Sequence, residues 1–192
     1  MPVLSGDIRF HYSDLFAGSG FDDARTGSGA SSFGRWFSKT AYPNNTLHNV
    51  WDVIVGDESN SGDTEYRGIA VYNSHATLTL IDPKLWISAE NPSGAHIEMA
   101  IDGFSASPIA QRTVPQMFSG VGMSNEGQVP MSGATAQTLT WNSGTTKGAG
   151  LSLGDIPAGY AKGIWLKRYV GAGTGALDAD YVTLKVEGDS AQ

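Results

Sequence analysis

The sequence predicts an all-β protein, an antiparallel β-sandwich of immunoglobulin-like or jelly-roll type. Three observations support this fold class. Short segments alternate apolar and polar residues with a period of two, turn-forming residues separate these segments, and helical periodicity is rare. Many short strands divided by Gly, Pro and Asn are typical of sandwiches and barrels, in which each strand buries one face.

The individual strands follow from this alternation. Residues 181–187 are the clearest case, because Val182, Leu184 and Val186 share one face and polar residues occupy the other. The predicted strands are residues 7–12, 66–72, 77–81, 84–88, 96–101, 137–141, 163–170 and 181–187. Residues 45–55 stay open between a short helix and a strand, although the β-branched residues at the end of this segment favour the strand.

Two segments rich in glycine interrupt the strand pattern, residues 17–32 and residues 119–150. Long irregular segments inside a compact domain are usually functional or lie against a partner. We therefore divide the chain into an N-terminal strand with an extended arm, residues 1–45, and a β-sandwich domain, residues 46–192. The second part contains a long loop around residues 104–150.

Charge and cysteine content exclude several classes of function. The chain has 192 residues, no cysteine, and a formal charge of -7 from 19 acidic and 12 basic residues. Disulfide scaffolds and thiolate chemistry are therefore excluded. An acidic chain is a poor partner for nucleic acid, because neutralising phosphates requires a surplus of Lys and Arg. No apolar run approaches 18 residues and the first residues lack a signal-peptide pattern, so we expect no membrane partner and no export signal.

The densest acidic cluster lies within residues 56–65 and has the early spacing of a calcium-binding loop. Its candidate ligands are Asp57, Ser59, Ser61, Asp63 and Glu65. The twelfth position of such a loop, which requires a bidentate Glu, is Gly68 here, and no helix pattern flanks the segment. A solvated turn between two strands is the favoured interpretation, and we expect neither a metal nor another cofactor.

We predict no catalytic residues. The four histidines (His11, His48, His75 and His96) show no metal-ligand spacing, and no G-x-S-x-G turn is present for a hydrolase nucleophile. A pair of carboxylates for glycoside hydrolysis stays open, since two such residues meet only in space. The chain is therefore predicted not to be an enzyme.

Partner contacts are predicted in the N-terminal segment, where aromatic and basic residues interrupt the Gly- and Ser-rich sequence. The predicted contact residues are Phe21, Arg25, Phe33, Arg35, Trp36 and Phe37. Trp36 is a candidate anchor on a neighbouring subunit, although core packing is the favoured alternative for it. The five tryptophans could also form a sugar-stacking platform, but Trp86 and Trp165 lie within apolar strands and are expected in the core.

A resemblance to known proteins emerges from the order of the turn and strand motifs. Ile-Ala-Val-Tyr-Asn at 69–73 precedes Leu-Trp-Ile at 85–87, and Leu-Gly-Asp-Ile-Pro-Ala-Gly at 153–159 precedes Gly-Ile-Trp-Leu-Lys-Arg-Tyr at 163–169. The closing Val-Thr-Leu-Lys-Val-Glu-Gly-Asp at 182–189 and the Gly-Asp-Thr-Glu-Tyr-Arg at 62–67 complete the pattern. Over residues 45–189 this pattern resembles small β-sandwich virion proteins of tailed bacteriophages, in particular the capsid decoration, or cement, proteins.

That resemblance implies a structural protein without enzyme activity. It would be made in the host cytoplasm, bind the outer surface of the virion capsid, and contact the major capsid protein and copies of itself, often as trimers. A phage tail or baseplate protein is the nearest alternative. A carbohydrate-binding module that uses the aromatic residues, and a glycan-cleaving enzyme, are alternatives from other classes.

Overall fold

The structure is a computed structural model that describes residues 2–14, 34–45, 49–51, 54, 56–92, 94–109, 116–118, 130–132, 135–175 and 180–190. It confirms the predicted all-β antiparallel sandwich. The strands are β1 (Ile8–Asp14), β2 (Trp36–Ala41), β3 (Asp63–Asn73), β4 (Leu80–Glu90), β5 (His96–Ile101), β6 (Ser107–Pro108), β7 (Met131–Ser132), β8 (Thr135–Ala136), β9 (Leu151–Ser152), β10 (Tyr160–Val170) and β11 (Val182–Ser190). The helical elements are α1 (Gly56–Ser61) and two 3₁₀ turns, Ser5–Asp7 and Lys147–Ala149.

Two sheets form the sandwich. The larger sheet has the strand order β2-β1-β3-β10-β5, with the short β6 also paired to β10. The smaller sheet has the order β11-β4-β9, and β7 with β8 forms a separate two-stranded ladder. The longest ladder joins β3 to β10 in the middle of the larger sheet, from the pair Asp63–Val170 to the pair Tyr72–Ala161.

The main core lies between the two sheets and follows the predicted alternation. Ile69 and Val71 of β3 face Leu85 and Ile87 of β4 across the sandwich, and each is at most 2% exposed. Removing such side chains from water supplies the main driving force for folding, about 25 cal/mol for each Å² of apolar surface. The other buried members of this core are Trp51, Leu80, Ile97, Met99, Leu153, Ile156, Ile164 and Leu166.

A second core covers the outer face of the larger sheet. Trp165 of β10 and Phe37 of β2 are fully buried there, beneath Ile109 and Met117 of the long loop. A sheet with both faces covered explains why residues 66–72 and 163–170 read as nearly continuous apolar runs. The outer face of this sheet is therefore an ordered part of the chain's own fold.

Residues 15–33 connect two neighbouring strands. β1 ends and β2 begins in register, because Asp14 pairs with Trp36 and Ser13 with Phe37. β1 also pairs with the central β3, which places part of the predicted N-terminal segment inside the larger sheet. The Gly- and Ser-rich sequence predicted as an arm is thus held at both ends.

The strand predictions at 77–81 and 84–88 need correction, because both belong largely to one strand. β4 runs from Leu80 to Glu90, and Thr77–Thr79 precede it. Asp82-Pro83, which normally ends a strand, is accommodated by a bulge in which Asp82 takes a φ of 39°. The backbone N–H of Asp82 donates to the Asp155 carboxylate at 3.0 Å, so this bulge is held by a side chain outside the ladder.

Two further predictions differ from the structure. Residues 137–141 are not a strand, and the ladder nearby is formed by β7 and β8. In residues 45–55, the described positions 45, 49–51 and 54 are neither helix nor strand. The helix begins later, at Gly56, inside the acidic segment that was predicted as a turn, where Asp57 and Glu58 favour a helix N-terminus.

Candidate functional site

The two segments predicted to contact partners meet on the outer face of the larger sheet. We call this contact the outer-face junction and define it as residues 34–37 and 116–118. The backbone N–H of Arg35 donates to the Phe118 carbonyl at 3.0 Å, and the Gln116 N–H donates to the Arg35 carbonyl at 2.7 Å. These two bonds act like a short strand pairing between segments about eighty residues apart in the chain.

Gly34 lets the two segments approach. Its φ is 81°, and a Cβ placed on it would lie 2.0 Å from the Phe118 carbonyl oxygen. Any other residue would push the segments apart as well as adopt a left-handed conformation that costs free energy. Ser13 completes the contact, since its hydroxyl accepts from the Gly34 N–H at 2.9 Å and donates to the Gly68 carbonyl at 2.6 Å.

The Gln116 side chain joins β2 to β6 across the junction. It is 2% exposed. Its Oε1 accepts from the Phe37 N–H at 2.9 Å, and its Nε2 donates to the Pro108 carbonyl at 2.6 Å and the Ser107 hydroxyl at 3.1 Å. A buried amide is stable only when its donors and acceptor are paired, and Gln116 meets this requirement with the chain's own backbone and hydroxyl groups.

Asp102 fastens the loop to the sheet beneath the junction. Its Oδ2 accepts from the Phe118 N–H at 2.7 Å and from the Trp165 indole N–H at 2.9 Å, and its Oδ1 accepts from the Phe104 N–H at 2.9 Å. Burial raises the pKa of this carboxyl, and the three donors act in the opposite direction. Because three hydrogen-bond donors already occupy the Asp102 oxygens, we infer that this carboxylate positions the loop and does not transfer protons.

Lys162 supports the same loop from β10. Its ammonium donates to the backbone carbonyls of Asp102, at 2.9 Å, and Phe104. The side chain is 7% exposed, and burial lowers the pKa of Lys162 while the neighbouring Asp102 charge raises it. A buried acid and base with shifted pKa values often mark a catalytic site, but here both groups bind the backbone of one loop.

His11 is a third buried polar group on this face, and its pKa predicts an effect of pH on stability. Its Nδ1 lies 3.0 Å from the Ser38 carbonyl, its ring packs edge-on against Tyr72, and Nε2 has no partner among the described residues. Burial lowers the pKa of His11, the Arg9 charge adds to this effect, and the Ser38 carbonyl opposes it.

We expect the stability contributed by neutral His11 to be complete above pH 6.5, the ordinary pKa of histidine, and to be lost as the pH falls toward the lowered pKa. Below pH 6.5 the unfolded chain binds the proton more readily than the folded one. His11→Phe should therefore lose less stability than the unmodified protein between pH 7 and 5. Urea unfolding at both pH values measures this difference, and a parallel loss in the two proteins would contradict it.

The predicted partner-binding residues fall into three groups. Trp36 and Phe37 are 4% and 0% exposed, so the structure places both in the core. Core packing was the favoured alternative for Trp36, whereas Phe37 was predicted only as a contact residue. The Trp36 and Phe37 rings hold β2 in the larger sheet because they are buried against its neighbouring residues. Arg35 is half-buried, with its guanidinium 5.4 Å from the Trp36 ring centroid. Phe21, Arg25 and Phe33 lie outside the described residues.

The structure brings two of the predicted calcium ligands, Asp63 and Glu65, close together, and two others bond to backbone carbonyls. The Ser59 hydroxyl donates to the Thr174 carbonyl, and the Ser61 hydroxyl donates to the Asp57 carbonyl at 2.5 Å. Glu65 is fully buried and paired with Arg168. Asp63 and Glu65 form a trio with Glu58, which was not among the predicted ligands, and their carboxylate oxygens lie within 4.8 Å of one another.

An open depression of about 450 Å³ lies beside these carboxylates, at the end of the sandwich formed by β3 and β10. Its lining residues are Ser61, Gly62, Asp63, Thr64, Tyr169 and Ala172. Asp63 is the one carboxylate among these lining residues, and the carboxylate oxygens of Glu58 and Glu65 lie within 4.8 Å of its own.

The tryptophans do not form the exposed platform considered for a sugar-binding protein. Trp36, Trp51, Trp86 and Trp165 are at most 8% exposed. Trp141 is half-buried between the Tyr66 ring and the Lys167 ammonium, which lies 5.0 Å from its centroid. The most exposed aromatic side chains in the described part of the chain are Tyr169 and Tyr181, at 51% and 55%.

Sequence reasoning missed Asp102, Lys162 and Gln116. The position of Lys162 could have been noticed in the sequence. A lysine inside the apolar run of β10 must either face water or donate to buried carbonyls. Asp102 directly follows the alternating β5, where a carboxylate can bond nearby backbone N–H groups. Gln116 has no local pattern that distinguishes it.

The fold and the outer-face junction define the class of protein. It is an all-β sandwich in which buried polar side chains hold loop residues against the larger sheet. Comparisons with protein-family models, with curated proteins and with solved structures give no match to this chain. Among the described residues, no helix combines the length and the apolar character needed to cross a bilayer.

Proposed function

We propose that this chain is a non-enzymatic structural virion protein, a capsid decoration protein that binds the outer surface of a tailed-phage head. The outer-face junction carries this proposal. Gly34 directly follows the Gly- and Ser-rich residues 15–33, and Phe118 directly precedes the Gly-rich residues 119–129. The backbone hydrogen bond from Arg35 to Phe118 places these two positions side by side. We infer that these two segments contact a neighbouring subunit.

The buried polar groups support a binding role. Asp102, Lys162 and Gln116 are enclosed and bonded to backbone groups of loop residues 102–118 and β2. These bonds stabilise the surface around the outer-face junction. A pre-formed surface binds with a smaller loss of conformational entropy, which is an advantage for a protein that must bridge capsid subunits.

Weak contacts suffice on a capsid. Each decoration protein meets a lattice that repeats the same surface, so several modest contacts made together raise the overall affinity far above that of one contact. The expected partners are the major capsid protein and copies of this chain. Backbone-rich loops and unpaired strand edges supply contacts of this kind.

Replacing residues 17–32 with a Gly-Ser linker of the same length tests the proposal. We expect this variant to lose most co-sedimentation with empty heads and to keep its melting temperature within a few degrees, because β1 and β2 stay connected. Gly175→Ala is the control, because it lies outside both Gly-rich segments. Its added Cβ meets nothing within 4 Å, so it should bind heads normally.

Two outcomes would contradict the proposal. In the first, the linker variant decorates heads as well as the unmodified protein does. In the second, the unmodified protein sediments with purified tails and not with heads, which would assign it to the tail or baseplate.

A further inference from the structure

β11 leaves one long edge of the smaller sheet open. It is nine residues long, from Val182 to Ser190, and within the described part of the chain its strand neighbour is β4 alone. An exposed strand edge carries a row of unpaired N–H and C=O groups and readily pairs with another chain. Bulges and prolines normally protect such an edge.

β11 has neither protection. Its two register shifts against β4 each place the additional residue on β4, since Thr183 and Leu184 face Ala89 and Ile87. The second shift, between Glu187 and Asp189, lies opposite the Asp82-Pro83 bulge of β4. β11 is therefore regular along its whole length, and it contains no proline.

The direction of its backbone groups follows from one hydrogen bond. The Tyr181 carbonyl accepts from the Asn91 N–H of the neighbouring strand at 3.1 Å, in register with the pair Val182–Glu90. Odd-numbered residues thus turn their backbone groups toward β4. By strand alternation, the even-numbered residues from Val182 to Ser190 present N–H and C=O groups at the open edge.

The side chains of β11 are complementary to those of a second antiparallel copy. Val186 is the middle residue of the strand, and a twofold axis through it places Lys185 opposite Glu187 of the second copy, twice. The same axis places Thr183 opposite Asp189. All four side chains are exposed on the outer face. They would occupy the non-hydrogen-bonded pairs, where side chains on facing strands are closest.

We propose that β11 pairs with β11 of a second copy of this chain, antiparallel about a twofold axis at Val186. The pairing joins two three-stranded sheets into one continuous six-stranded sheet. Glu187 already lies 3.3 Å from Lys147 of its own chain, so Lys185 of the second copy would enter an existing charge cluster. This contact does not depend on the capsid role. It also differs from the trimer implied by the resemblance, which requires a head-to-tail contact between unlike surfaces.

Sedimentation equilibrium of the full chain, with a charge exchange at the proposed contact, tests the pairing. We expect a dimer for the unmodified protein. Lys185→Glu places like charges opposite each other twice and should weaken dimerisation by roughly tenfold or more. The triple exchange Lys185→Glu, Glu187→Lys and Lys147→Glu restores opposite charges both across the contact and in the Lys147–Glu187 pair, and should restore the dimer. Melting temperatures confirm that all three proteins are folded.

The competing results are distinct. A monomer at the highest soluble concentration would overturn the proposal, and would indicate that another part of the chain or another protein covers the edge. A trimer, or a dimer that Lys185→Glu leaves unchanged, would overturn it as well. None of these results bears on head binding, which is measured separately.

Discussion

Replacing Arg168 with Met is expected to lower the free energy of unfolding by about 3–5 kcal/mol, because it removes a cation paired with a buried carboxylate. Arg168 lies directly across the β3–β10 ladder from Glu65, and its Nε donates to the Glu65 carboxylate. The two residues are 6% and 0% exposed. The Arg168 guanidinium also lies 5.6 Å from the centroid of the Trp51 ring. Urea unfolding at pH 7 measures the loss.

The double variant Glu65→Leu with Arg168→Met is the matched control. Replacing both charges with apolar groups of similar size removes the need to bury either one, so we expect it to recover most of the stability. Two results would contradict this account of the pair. One is a loss below about 1 kcal/mol for Arg168→Met, and the other is a double variant that is no more stable than the single one.

Asp102→Ala is expected to cost about 3 kcal/mol or more, because three enclosed donors lose their acceptor. These donors are the backbone N–H groups of Phe104 and Phe118 and the indole N–H of Trp165. We expect the loop to detach from the outer face first, and the near-ultraviolet circular dichroism, to which Trp165 contributes together with the other aromatic residues, should change accordingly. The denaturation midpoint gives the loss of stability.

Asp102→Asn separates hydrogen bonding from packing. Its amide has nearly the shape of the carboxylate and keeps one carbonyl acceptor, so it should lose less stability than Asp102→Ala. If the alanine variant unfolds at the same denaturant concentration as the unmodified protein, the loop is held to the sheet by other contacts and Asp102 is not its fastener.

The strands could be predicted where the pattern of apolar residues within one segment is enough to show which side chains are buried. β5 and β11 were found because their alternation reflects burial on the main-core face, and β3 and β10 because apolar runs bounded by turn-forming residues mark strands buried on both faces. β4 was divided in two, because Asp82-Pro83 ends most strands and its bulge depends on Asp155, which lies far along the chain. β2 was missed, since its burial depends on loop residues that cover it from elsewhere in the sequence.

The candidate site was predictable only in part. Aromatic residues beside Gly-rich sequence singled out residues 33–37, and loop length singled out residues 104–150. Local sequence could not show that these segments bind each other, because Phe37 and Gln116 are 79 residues apart. Asp102 and Lys162 are separated by 60 residues, so their shared role also appears only after folding.

Electron cryomicroscopy of intact particles tests the central claim most directly. The proposal predicts density for this sandwich on the outside of the head, at repeated lattice positions, with residues 34–37 and 116–118 turned toward the capsid. Density for the sandwich on the tail, or capsid-bound density that turns the β11-β4-β9 sheet toward the lattice and the outer-face junction toward solvent, would contradict it.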